Sequence, residues 1–116
     1  MPSSDLGTTI IQSGKKWDGG KQPAFQGLVQ YFPRAMLCVA GISKYGTEKY
    51  NLEYSDRNWS RVEHAKDRYR DALTRHLLLE QIEGATDKES SLLHAGHMAW
   101  CALAYLELLL QEGELK

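Results

Sequence analysis

The strongest hydrophobic signal lies in the last third of the chain, where SLLHAGHMAWCALAYLELLL is apolar almost all round. A helix of that kind belongs at the centre of a fold or between copies, because every face of it needs covering. His97 and Glu107 interrupt the apolar stretch Ala95 to Leu110 and His94 precedes it, which marks a buried core helix rather than a membrane span. Thr86 and Glu89 stand just before it at capping-box spacing, so the helix is expected to begin near Asp87. A second helix is predicted from about Val62 to Glu83, with Gly84 as its stop. There Val62, Ala65, Tyr69, Ala72, Leu73, His76 and Glu80 recur at intervals of three and four. The first helix is expected to run from Pro33, whose missing N–H is harmless in a first turn, to Tyr45, with Gly46 past its end. Met36, Val39, Ala40 and Ser43 form its short stripe.

Two segments carry no sustained period. Gly14 to Gln26 is rich in glycine and charge and reads as a loop or extended arm, so residues 1–26 are assigned to a flexible N-terminal arm and 27–116 to a single helical domain. Residues 47–60, TEKYNLEYSDRNWS, form a long polar loop that holds Tyr50, Tyr54 and Trp59; a loop of that length in a small domain is often functional. The expected fold is therefore all-α, a bundle of about three main helices. Three helices supply little core for 116 residues, so self-association is expected to cover part of the third.

Composition narrows the partners. Fourteen Lys and Arg against fifteen Asp and Glu leave a formal charge of −1, so no global field would draw in a nucleic acid polymer or a membrane surface. Any phosphate binding has to be local. Cys38 and Cys101 lack CxxC spacing, which argues against a zinc ribbon, a redox motif and a disulfide framework. Met1 to Gly20 has no apolar run of signal-peptide length, and a cytoplasmic protein is expected.

Several groups of residues could carry chemistry. Arg61, Arg68 and Arg75 are spaced by seven and would form one stripe, either tracking a polyphosphate or pairing with Glu63, Asp67 and Asp71 as a solvated face. His76, Glu80 and Glu83 continue the apolar stripe of the second helix where aliphatic residues would be expected. Buried there, they need partners or a metal, since each unsatisfied group costs about 1–3 kcal/mol; at the helix end they could instead face water. His94, His97 and Cys101 share a face of the third helix, as metal ligands or bases or as histidines bonded within the core. Asp87 and Glu89, just before this helix, read as its caps. In the loops, Lys44, Tyr45, Asn58 and Trp59 offer the cationic, aromatic and amide groups that stack on a base and bond its edge.

Taken in order, WDGGK (Trp17 to Lys21), KYG (Lys44 to Gly46), NW (Asn58, Trp59), RYRDALTRHLL (Arg68 to Leu78), EG (Glu83, Gly84) and DKESSLLHAGH (Asp87 to His97) resemble the phage dATP/dGTP diphosphohydrolase family, N-terminal type. That family is grouped loosely with MazG-like all-α nucleotide pyrophosphohydrolases, and the resemblance spans roughly residues 14–110. It implies Mg2+ or Mn2+ held by Glu80, Glu83 and Asp87. It further implies phosphates met by Arg68, Arg75 and Lys44, a base stacked on Trp59 or Tyr45, His97 at the ligand, and His76 or His94 assisting proton transfer. The chain departs from the pattern in three places. The ExxE and ExxD acidic quartet is incomplete, Cys101 stands where members carry Asn, and Ser91 stands where they carry Gly. The alternative expectation follows from those departures: an oligomeric, cofactor-free sponge that sequesters a cyclic nucleotide or an ADP-ribose-type signal of host immunity.

Overall fold

The computed structural model describes residues 14–114, and within them the architecture is all-α with no strand. Residues 1–13 of the expected arm lie outside the described residues. Helix α1 spans Pro33–Lys49, α2 spans Ala65–Glu83 and α3 spans His94–Glu114. A π-type turn at Phe25–Val29 precedes α1, and two 3-10 turns, Tyr54–Asp56 and Asn58–Arg61, lie within the α1–α2 connection.

The helix boundaries depart from the local signals in three places. Helix α1 does not stop at Gly46 but continues one turn to Lys49, and Asn51, with φ 55°, takes up the left-handed position beyond it. A mid-helix glycine costs only about 1 kcal/mol, and the extra turn carries Lys49 to the carboxylate of Glu89, 2.6 Å away. Helix α2 begins at Ala65 rather than Val62, because His64 adopts φ 57° and breaks the register. Arg61 is therefore not on the helix at all; it sits on the preceding 3-10 turn and donates from Nη1 to the carbonyl of Asp56 at 2.5 Å. Only Arg68 and Arg75 share the helical stripe. Helix α3 begins at His94 rather than Asp87. The capping box does not form, since the Glu89 carboxylate is taken by Tyr45 and Lys49.

Residues 85–93 instead fold into a tight turn. The Asp87 amide donates to the Leu92 carbonyl, the Ser91 amide to that of Asp87 (both 2.8 Å), and the His94 amide to that of Ala85 at 2.9 Å. A single antiparallel bridge joins Thr86 to Leu93. Gly84, with φ 93°, ends α2 as its position in the sequence predicts. The turn returns the chain so that α2 and α3 run antiparallel. Glu83 meets His94 at one end, and Lys66 at the start of α2 pairs with Glu112 near the end of α3.

Helix α1 crosses α3 at Gly96, where a Cβ would lie 2.8 Å from Cys38 Sγ and 3.4 Å from Ile42 Cγ1. The absence of a side chain is what permits the approach. The apolar side chains buried there are small in number: Ile42, Cys101 and Ala104 among the described residues. Leu103, Leu106, Leu109 and Leu110 of α3 and Leu77, Leu78 and Ile82 of α2 are exposed. The helices thus meet along a seam that is as polar as it is apolar, with Asp87, His94 and His97 buried at its upper end.

Candidate functional site

Both α1 and α2 pack on α3, and the space between them is an open cavity of about 1140 Å³. Ser43, Tyr45 and Lys49 of α1 form one wall, and Arg68, Arg75 and His76 of α2 the other. His97, Trp100 and Cys101 of α3 form the floor, Asn58 and Trp59 come from the connection, and Asp87 and Glu89 close one end. The aromatic part of the floor is braced edge to face. Trp100 lies 6.2 Å from Trp59 and 5.4 Å from Tyr69 between ring centroids, and its Nε1 donates to Ser43 Oγ at 2.8 Å. Tyr69 in turn donates its hydroxyl to the Trp59 carbonyl at 2.6 Å, which fixes the Asn58–Trp59 turn against α2.

Three imidazoles meet where α2 ends and α3 begins. His76 and His97 stack, with centroids 4.3 Å apart and planes within 1°. The Nδ1 atoms of His76 and His94 are 2.9 Å apart. His94 is wholly buried, and its Nε2 lies 2.9 Å from Glu83 Oε1. A carboxylate only accepts, so His94 carries its proton on Nε2 and turns a bare Nδ1 toward His76. Asp87 is held by Ser90, whose amide (3.0 Å) and hydroxyl (2.7 Å) both donate to Oδ2. Ser90 Oγ then accepts from His97 Nε2 at 2.7 Å. The chain Asp87–Ser90–His97 and the pair Glu83–His94 satisfy polar groups that would otherwise be costly to bury.

Electrostatics follow from this packing. Burial pushes the His76 and His97 imidazoles below their ordinary value, and their neighbouring histidines add to the effect against the pull of Asp87. Burial would raise the Asp87 carboxyl, but the two Ser90 donors, with His97 and His76, more than offset it and hold it below its ordinary value. Both directions leave neutral imidazoles beside an ionised carboxylate at neutral pH. At the mouth, hydrogen bonds from Lys49 and Tyr45 lower Glu89. Burial pushes the Cys101 thiol up to about 11, so it is a protonated core group and not a nucleophile.

Of the residues singled out from sequence, Tyr45, Asn58, Trp59, Arg68, Arg75, His76, Asp87 and His97 line this one cavity. Lys44, one residue away on α1, is exposed and does not line it; Lys49, a turn later, does. His94 lies behind the cavity wall with no exposed surface, so it does not line the cavity itself. Lys49, Glu89, Ser90 and Trp100 were not expected in the site. Lys49 was obscured by Gly46, which reads as a helix end. Ser90 and Glu89 were hidden by a capping pattern that has a purely local explanation.

The carboxylates do not come together as expected. Among the described residues the cluster with ligand atoms close enough for one ion is His76, Asp87 and His94, whose donor atoms all lie within 4.8 Å of one another. Glu83 supports His94 from behind, and Glu80 joins neither group. An all-oxygen shell of Glu80, Glu83 and Asp87, the kind magnesium prefers, is therefore not assembled. The donor set present, two nitrogens and one carboxylate, is one that manganese and later first-row dications accept.

No helix among the described residues is long and apolar enough to cross a membrane. Neither a curated protein nor a solved structure matches this chain. A family model does match, over residues 12–116, and the matched region takes in the KYG segment, the Asn58–Trp59 turn, the two arginines and the whole histidine cluster. This chain belongs to the family of the dATP/dGTP diphosphohydrolase, N-terminal domain.

Proposed function

We propose that the cavity binds a purine deoxynucleoside triphosphate and hydrolyses it to the monophosphate and pyrophosphate. The observation that carries this reading is that Arg68 and Arg75, two turns apart on one face of α2, open onto the same cavity as His76, His97 and Asp87. Among the described residues neither guanidinium is paired with a carboxylate; of the α2 arginines it is Arg70 that pairs, with Asp67. Two free forks at that spacing suit a chain of phosphates. Trp59, edge to face with Trp100, offers an aromatic surface for the base, and Asn58 beside it an amide for the base edge.

Water attacks the α-phosphorus, the bond to the α–β bridging oxygen breaks, and pyrophosphate leaves with the electron pair. A divalent cation, Mg2+ or Mn2+, supplies an acidified water when bound, and His76, Asp87 and His94 are the residues that would hold it. Arg68 and Arg75 neutralise charge on the leaving pyrophosphate. His97 donates through Nε2 to Ser90, so its Nδ1 keeps a lone pair, and that atom takes the proton of the attacking water. Substrate would be free nucleotide in the cytosol, and a second copy of the chain would cover the exposed leucines of α2 and α3.

A second reading is a sponge that binds a cyclic nucleotide or ADP-ribose-type signal without cleaving it. It is favoured by Asp87 being the sole carboxylate in the ligand group. Mass analysis after incubation with dATP, dGTP and cyclic nucleotides, with and without Mg2+ or Mn2+, tests both. Monophosphate and pyrophosphate support the hydrolase. Unaltered ligand released only on denaturation replaces it with the sponge.

A further inference from the structure

We infer that His76, Asp87 and His94 form a binding site for a first-row transition-metal dication, selective for Mn2+ over Mg2+, with Glu83 as the residue that orients His94. This deepens the hydrolase reading above by naming the ion, and it stands on three features of the site's geometry.

The first is the Nδ1–Nδ1 separation of 2.9 Å between His76 and His94. Two ligands at right angles on one ion, with metal–nitrogen bonds of about 2.1 Å, stand about 3.0 Å apart. The second is the carboxylate behind His94. Glu83 Oε1 lies 2.9 Å from His94 Nε2, which places the proton there and leaves Nδ1 as a lone pair facing His76. A carboxylate on the far nitrogen is the usual support of a metal-bound histidine, fixing tautomer and ring orientation together.

The third is the state of Asp87. Both Ser90 donors engage Oδ2, so Oδ1 is left for another partner, and the backbone of Asp87 is anchored at both ends of the 85–93 turn. The ligands are thus held by two helices and a turn already folded around them. His76 and Asp87 line the cavity while His94 does not, so an ion enters from the cavity side and reaches the buried ligand last. Two imidazoles in three ligands set the selectivity, because magnesium takes oxygen and parts reluctantly with its water.

The test uses the full chain, stripped by a chelator and titrated with Mn2+ alone, reading free ion by its electron paramagnetic resonance signal. One ion per chain should bind and resist about a hundredfold excess of Mg2+. Co2+ in its place should give visible absorption bands characteristic of nitrogen ligation. His76→Gln, on the cavity wall, should lose at least about tenfold in Mn2+ affinity with an unchanged circular dichroism spectrum, and Glu83→Gln should lose about 10–100-fold. No saturable uptake of Mn2+, displacement by an equal concentration of Mg2+, or native affinity in His76→Gln would each overturn the site. If Glu83→Gln does not fold, His76→Gln and the Co2+ spectrum still decide it. Since no nucleotide is present, a protein that binds Mn2+ but cleaves nothing removes the hydrolase reading and leaves the site standing.

Discussion

His76 lies flat on His97, with ring centroids 4.3 Å apart and planes within 1°, so one imidazole from α2 and one from α3 share a single stack. Two stacked rings cannot both take a proton without placing like charges face to face. Burial holds both below the ordinary histidine value of 6.5, with His94 and Arg75 adding to it at His76 and with His76 and His94 adding to it at His97.

That stack predicts acid sensitivity of the metal-free protein. The unfolded chain takes up protons near pH 6.5 while the folded stack resists, so the unfolded state binds more protons in the window below that value. Stability is complete above about pH 6.5 and falls as the pH drops through it; Asp87, also depressed, adds a further loss only below its ordinary value of 3.8. Thermal unfolding in chelator at pH 7.5 and 5.5 should show a fall of several degrees in native protein and a smaller one in His76→Gln. An unchanged melting temperature between the two pH values would refute the assignment.

The arginines should separate binding from folding. Arg68 and Arg75 are exposed, so Arg68→Ala or Arg75→Ala should leave the melting temperature within a few degrees. Each should weaken nucleotide affinity by about tenfold to a hundredfold, the worth of a charge-assisted contact to phosphate. Isothermal titration of both variants checks this, and unaltered affinity in both would remove the phosphate role.

Gly96 is a packing determinant. Gly96→Ala drives a Cβ to 2.8 Å from Cys38 Sγ, and overpacking of this kind costs about 1–3 kcal/mol. The melting temperature should drop by about 5–15 °C and recover in part when Cys38→Ala is added, since that removes the atom in the way. Failure of the second change to help would mean that the helices do not cross there.

Ser91 holds φ 64°, a left-handed conformation that glycine adopts freely. Ser91→Gly should raise the melting temperature by a few degrees without changing nucleotide or metal affinity, and a loss of stability would show that the serine side chain contributes something the turn geometry does not explain.

Leu103, Leu106 and Leu110 are each at least half exposed on the last turns of α3. A patch of that size on a small chain calls for a partner surface, and light scattering should report a mass above one chain. Leu106→Glu should shift that mass downward while leaving the helical circular dichroism in place. A monomeric native protein would show that these leucines stay in water.

What the sequence by itself determined is what short-range patterns control. The all-α class, α2 with its stop at Gly84, and the apolar character of α3 follow from periodicity and a glycine, which act over a turn or two. Arg68, Arg75, His76, His97 and Trp59 were also legible as candidates, the histidines because polar groups on an apolar stripe demand partners wherever they fold. Which partners they take was decided only by tertiary structure. His76 meets His94 across 18 residues and Lys49 meets Glu89 across 40. The acidic spacing of Glu80 and Glu83 suggested one carboxylate pair on one helix, but only the α2–α3 turn could send Glu83 behind His94 and bring Asp87 to the histidines. Long-range contacts also accompany the extension of α1 past Gly46 and the start of α3 at His94, where Tyr45 and Lys49 of α1 take the Glu89 carboxylate that a local cap would have used.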